Sequence, residues 1–277
     1  MRGKRLTEVL TMAAAAVLFA VPAAGQELPA DNEAAVARLD ASPRHGEWVK
    51  YDAGSGDSVT AWVVYPERSE PAPVVVVIHE IYGLTDWIRG VADQLAAAGF
   101  IAIAPDMLSG KGPGGGGTES VDRQGAVRLV RALDRAEVVR RLNGAAHYGM
   151  ELPAAQDAFG VVGFCWGGST SFAYATAQAD LGAAVVYYGS SPAAEALARI
   201  EAPVLGLYGG DDERVNATIA PAEQEMERLG KRYEYEIYDG AGHGFLRQQS
   251  GREGANMRAT EQAWPRMLAF FQAELGS

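Results

Sequence analysis

Gly163-Phe164-Cys165-Trp166-Gly167-Gly168 stands between an apolar run, Ala158–Phe164, that reads as a strand and a stretch, Gly168–Gln178, that reads as a helix. Its form is G-x-C-x-G, the thiol version of the G-x-S-x-G nucleophile elbow. A nucleophile on a strand-to-helix turn needs a strained backbone, and small flanking residues let that turn close. The thiol of Cys165 would then stand clear at a helix N-terminus, where the helix dipole favours its anionic form. The plain alternative is a buried core cysteine in a glycine-rich turn. The rest of the chain decides between them.

Outward from the elbow, strands and helices alternate. Glu47–Tyr51 and Val59–Tyr65 read as strands around a Gly-Ser-Gly-Asp turn, after an irregular or partly helical lead-in over 26–45. The five β-branched residues Val74–Ile78 suit a central strand buried on both faces. Asp86–Ala98 reads as a helix stopped by Gly99, and Phe100–Ala104 as a strand. Val121–Leu142 reads as one helix or two, and Ile219–Leu229 and Asn256–Leu275 as further helices. Ala183–Tyr188, Val204–Tyr208 and Tyr233–Tyr238 complete the strands. Such alternation predicts a mainly parallel sheet with helices on both faces, in one domain over 26–277 with no large cap domain. The expected class is α/β.

Composition narrows the function. The chain has 277 residues, 48% hydrophobic and 21% charged, with a formal net charge of −11. That acidity argues against phosphate-backbone binding, so no nucleic-acid partner is expected. Cys165 is the one cysteine, which excludes an internal disulfide and any site built on several thiolates. The four histidines show no HExxH-like spacing, so no metal is expected. Gly112-Pro113 follow Lys111, so the glycine-rich segment 109–118 lacks the GxxxxGK[ST] phosphate loop, and no cofactor is expected. Residues 1–25 carry Arg2, Lys4 and Arg5, then the apolar run Met12–Val21, then Ala23-Ala24-Gly25. This is the pattern of a cleaved signal peptide and predicts export, to periplasm or medium, with no stable membrane insertion afterwards.

Two downstream segments can complete a site in the chain order nucleophile, acid, base. The strand Val204–Tyr208 ends in Gly209-Gly210-Asp211-Asp212-Glu213-Arg214-Val215, where either aspartate can reach a neighbouring loop. The strand Tyr233–Tyr238 leads to His243, which lies between Gly242 and Gly244 ahead of the last helix. Cys165 would attack an acyl carbon, His243 would carry the proton, and one aspartate would orient the imidazole. The oxyanion would meet the N–H of Trp166 and one N–H from the loop His79-Glu80-Ile81-Tyr82-Gly83.

From about residue 45 to 275 the chain resembles the dienelactone hydrolase family of α/β-hydrolases. The carrying segments are His79–Gly83, Ala104-Pro105-Asp106, Gly163–Gly168, Gly210–Val215 and Ala241-Gly242-His243-Gly244-Phe245. The resemblance implies an α/β-hydrolase fold and a triad of Cys165, Asp212 and His243, with Asp212 preferred over Asp211. It implies oxyanion donors at Ile81 and Trp166, and a part for Glu80 in activating the thiol as substrate binds. It also implies Arg247 as a binder of a substrate carboxylate. The second arginine of that pattern falls near Gly110, where the neighbouring Lys111 is the available cation. The expected activity is hydrolysis of small esters or lactones through an acyl-enzyme, of the carboxymethylenebutenolidase type. Two other classes stay open: a ligand-binding protein on a hydrolase scaffold, and a redox role for the thiol, weakened by the lack of a resolving cysteine. The oligomeric state is not legible.

Overall fold

A computed structural model describes residues 27–276, so the expected signal peptide lies outside the described residues. The elements in chain order are α1 (Ala35–Asp40), β1 (Gly46–Asp52), β2 (Ser58–Val64), β3 (Ala72–Ile78), α2 (Asp86–Ala97), β4 (Ile101–Pro105), α3 (Arg123–Ala132), α4 (Arg135–Met150), β5 (Ala155–Phe164) and α5 (Trp166–Ala175). They continue with β6 (Ala183–Tyr187), α6 (Ala194–Leu197), β7 (Val204–Gly209), α7 (Glu213–Asn216), α8 (Ile219–Arg228), β8 (Tyr233–Tyr238) and α9 (Ala255–Leu275).

The strands form one sheet in the order β1-β2-β4-β3-β5-β6-β7-β8. β2 pairs antiparallel with β1 and β4, and every pair from β4 to β8 is parallel. This is the expected α/β-hydrolase architecture. β3 is buried at all seven residues because both faces of the sheet are covered. The pleat sends alternate side chains into two cores. Val75, Val77, Val162 and Phe164 pack with α2 and α9 on one face. Val74, Val76, Ile78 and Val161 pack on the other face, with residues of α4, α5 and α8.

Segment Val121–Leu142 is two helices, and Asp134 is the reason. Its carboxylate accepts the N–H of Glu137 at 3.1 Å and caps α4, while Leu133 is extended and ends α3. Asp122 caps α3 in the same way through the Gly125 N–H, at 2.6 Å. The lead-in is more ordered than its composition suggests. Pro29 O accepts from the Gln249 amide at 2.8 Å, Ala30 O from the Trp87 indole at 3.1 Å, and Asn32 donates its N–H to Arg247 O at 3.0 Å. It straps the loop that carries His243 and Arg247.

Because β3 and β5 to β8 run parallel, their carboxyl ends open on one edge of the sheet, where sites of open α/β sheets form. The segments 79–83, 165–168, 209–215 and 239–247 all follow strands at that edge. Asp106, after β4, ties in the glycine-rich segment. Its carboxylate accepts the N–H and the hydroxyl of Thr118, each at 2.7 Å, and the Thr118 hydroxyl in turn accepts the Leu84 N–H at 2.9 Å.

Candidate active site

Cys165 caps α5 with φ 57° and ψ −112°, a left-handed conformation that costs a residue with a Cβ of order 1–3 kcal/mol. The surrounding glycines make it possible. A Cβ on Gly163 would lie 1.9 Å from Gly167 O, and one on Gly167 would lie 2.3 Å from Ile78 O. Neither position can hold a larger residue without moving backbone. The elbow therefore sits tight against the end of β3, and the Cys165 N–H donates to Tyr187 O at 3.1 Å. The thiol is in no disulfide and is half-buried.

His243 follows β8 and stands at the same edge. Its Nδ1 lies 2.5 Å from Oδ2 of Asp212. Asp212 is 8% exposed, whereas its neighbour Asp211 faces outward and pairs with Arg252 at 2.9 Å. The structure thus brings Asp212, not Asp211, to the histidine. Burial works against charge on His243, but hydrogen bonds and charge from Asp212 and Cys165 outweigh it and raise its pKa to about 9. The site favours an imidazolium, so His243 is a strong acceptor for a proton leaving the thiol.

Glu80 is buried beside this pair, with Oε2 2.6 Å from Nε of Arg247. Among the described residues that Nε makes no aligned hydrogen bond, so the contact is one of charges. Burial raises the Glu80 carboxyl above its ordinary range, opposed by the charges of Arg247, His243 and Arg123. Among the described residues, neither the Ile81 N–H nor the Trp166 N–H has a protein acceptor. The first N–H of a helix has no intrahelical partner, which accounts for Trp166.

Of the two cations expected to bind substrate, Arg247 is held by Glu80 and Lys111 is paired with Glu137 at 2.6 Å. Glu137 also lies 3.1 Å from the buried Arg141, whose guanidinium bonds Met107 O and Ser109 O at 2.7 and 2.9 Å. Lys111 is thus part of the cluster that anchors the β4 loop.

Two residues escaped the sequence reading. Arg123, at the start of α3, stacks its guanidinium 3.4 Å over the Tyr82 ring, and Arg247 lies 5.4 Å from the same ring. No carboxylate among the described residues pairs with the exposed Arg123. A cation that stacks on an aromatic face leaves no trace in sequence spacing. Tyr188 has φ 40°, and its ring lies 5.2 Å from that of His243. Among the described residues its hydroxyl is buried without a partner, and burial holds the phenol well above its ordinary pKa.

Residues 59–275 match the family model described as Dienelactone hydrolase family. The chain is 29% identical over 229 residues to a "Putative carboxymethylenebutenolidase" of Escherichia coli (strain K12), covering 78% of this chain and 83% of that protein. It is 29% identical over 247 residues to a "Probable 2-oxo-3-(5-oxofuran-2-ylidene)propanoate lactonase" of Bradyrhizobium sp, covering 83% and 94%. Among solved structures it superposes on a "Putative Dienelactone Hydrolase" from Klebsiella pneumoniae with a TM-score of 0.70 and 28% identity, covering 82% of this chain and 98% of that one.

Proposed function

The chain belongs to the dienelactone hydrolase family of ester and lactone hydrolases, and from that premise we propose that it hydrolyses small esters or lactones through a thioester on Cys165. The observation that carries the reading is the part-buried 2.5 Å contact of Asp212 with His243, set beside a strained cysteine elbow. Cys165 attacks the acyl carbon, and His243 takes the thiol proton. The oxyanion is met by the free N–H groups of Ile81 and Trp166. His243 then gives its proton to the leaving alkoxide, and the thioester forms. In the second half, water attacks the thioester with His243 as general base, and the thiol is restored. Asp212 fixes the imidazole tautomer and stabilises its charge throughout. One equivalent of iodoacetamide should label Cys165 and abolish turnover of a nitrophenyl ester. A labelled protein that still turns over would overturn the reading.

The preferred substrates carry a carboxylate. Supporting this is a local excess of cation: two guanidinium groups flank Tyr82, and Glu80 balances one of them. The name of the Bradyrhizobium relative, a lactonase for a propanoate, points the same way. Arg123 offers the forked donor set that suits a planar carboxylate, in place of Lys111. A substrate anion that draws Arg247 away would leave Glu80 uncompensated in a buried place, which couples substrate binding to the charge balance around His243. Arg123→Ala should raise KM for a carboxylate-bearing lactone about tenfold. It should leave a neutral ester unchanged within about twofold. Equal effects on both substrates would remove Arg123 from this role.

A further inference from the structure

His79 ends at a place that touches both halves of the oxyanion site. It is fully buried, with Nδ1 2.7 Å from Glu80 O and Nε2 3.2 Å from the backbone nitrogen of Met107. A backbone N–H can only donate, so Nε2 accepts, and the single proton of the neutral ring sits on Nδ1 and is donated to Glu80 O. Burial pushes the imidazole below its ordinary pKa, against the charge of Asp106, which keeps it neutral. The Glu80 carbonyl and the Ile81 N–H are the two ends of one trans peptide, and they point in opposite directions. Fixing the carbonyl fixes the N–H. The same imidazole stacks on the Trp166 indole, with centroids 5.5 Å apart and planes at 23°.

We propose that His79 is the positioning residue of the oxyanion hole: locked as the Nδ1–H tautomer, it orients and polarises the Glu80–Ile81 peptide and braces Trp166. The inference rests on the thioester reading of the site. A hydrogen bond onto a peptide carbonyl strengthens that peptide's own N–H as a donor, so His79 both aims the Ile81 N–H and makes it stronger. Its neutrality matters, because a proton on Nε2 would confront the Met107 N–H and break the clamp. The residue meets no substrate.

Two variants separate its bonds. His79→Asn places an amide N–H near the Nδ1 position and so can still donate to Glu80 O. His79→Gln reaches the Met107 N–H with its terminal oxygen but lacks the short donor. With a neutral nitrophenyl ester, His79→Gln should lower kcat about a hundredfold with KM within about threefold, since the lost interaction exists only in the transition state. His79→Asn should recover about tenfold of that loss. An aldehyde analogue, which adds to the thiol to form a tetrahedral hemithioacetal, should lose affinity for His79→Gln in step with kcat/KM. A merely structural role would lower the unfolding midpoint of both variants without separating kcat from KM. Full kcat in folded His79→Gln, or equal losses in both variants, would overturn the proposal. A measurement on the unaltered protein stands independently of how the variants fold: ¹⁵N NMR must show Nδ1 protonated and Nε2 bare, and the opposite tautomer would sink the idea. Should Cys165→Ala keep its turnover and the aldehyde fail to add at Cys165, the nucleophile reading falls instead. Should Cys165 be required while His79→Gln loses nothing, only the role of His79 falls.

Discussion

Cys165→Ala is expected to lower kcat/KM for any substrate ester by about 10⁴-fold or more, with the fold intact. What survives would be catalysis by the oxyanion donors and by binding alone. The size of the effect follows from the environment of the thiol. Its partner imidazole is tuned toward the cation by Asp212 and by the thiol itself, and no other cysteine exists in the chain to replace it. Stability should move the opposite way. A residue with a Cβ at φ 57° and ψ −112° stores strain that glycine would relieve. Cys165→Gly should therefore be as dead as Cys165→Ala and unfold at an equal or higher urea concentration. A strained backbone retained at a half-buried thiol is what a functional constraint looks like. Parallel measurement of kcat/KM and urea midpoints checks both halves. More than about a tenth of normal activity in Cys165→Ala would point to another nucleophile.

The sheet was legible because its signals are local. Five β-branched residues in a row at Val74–Ile78, and turn residues after each strand, require no knowledge of distant contacts. The eight strand segments after the lead-in fall where the spacing puts them, Tyr233–Tyr238 to the residue and the others with ends shifted by one to three residues. The sequence left the break between α3 and α4 open, and a single carboxylate, Asp134, makes it. The site was legible to the extent that its groups sit directly after strands, since a parallel sheet carries all strand ends to one edge. The contacts between loops were not. Lys111 is a cation in the right segment, but Glu137, two turns of chain and a helix away, claims it. Arg123 lies in no motif and reaches the site by stacking on Tyr82. His79 reads as one more residue of a loop until its two ring nitrogens are seen to hold Glu80 O and the Met107 N–H. The spacing alone left Asp211 and Asp212 open and the family resemblance chose Asp212; the physical reason lies in the third dimension, where adjacent carboxylates at the end of β7 diverge, one outward to Arg252 and one inward to His243.

That divergence sets the second large effect. Asp212→Asn should lower kcat/KM about 10⁴-fold, while Asp211→Asn should change it by less than about twofold. An asparagine at 212 can present its amide N–H to Nδ1, which puts the imidazole proton on Nε2 and leaves nothing to accept the thiol proton. It also removes the charge that makes an imidazolium favourable at His243. The pH dependence carries the same signature. The folded pKa of His243 is about 9, above the ordinary value near 6.5. The imidazolium is therefore present below about pH 9 and is lost as pH rises through that value. The stabilisation it brings to the fold is complete below about 6.5 and fades over the interval between 6.5 and 9. In the unaltered protein, kcat/KM should hold up to about pH 9 and fall above it, because the proton destined for the leaving group is then missing. In Asp212→Asn the surviving activity should begin its fall nearer neutrality, since the largest stabiliser of the cation is gone. Asp211→Asn should keep the upper limb where it was, as its ion pair with Arg252 is exposed and distant in effect from the imidazole. A pH–rate profile of the three proteins tests the assignment: an upper limb that shifts in Asp211→Asn and stays in Asp212→Asn would transfer the role from one aspartate to the other.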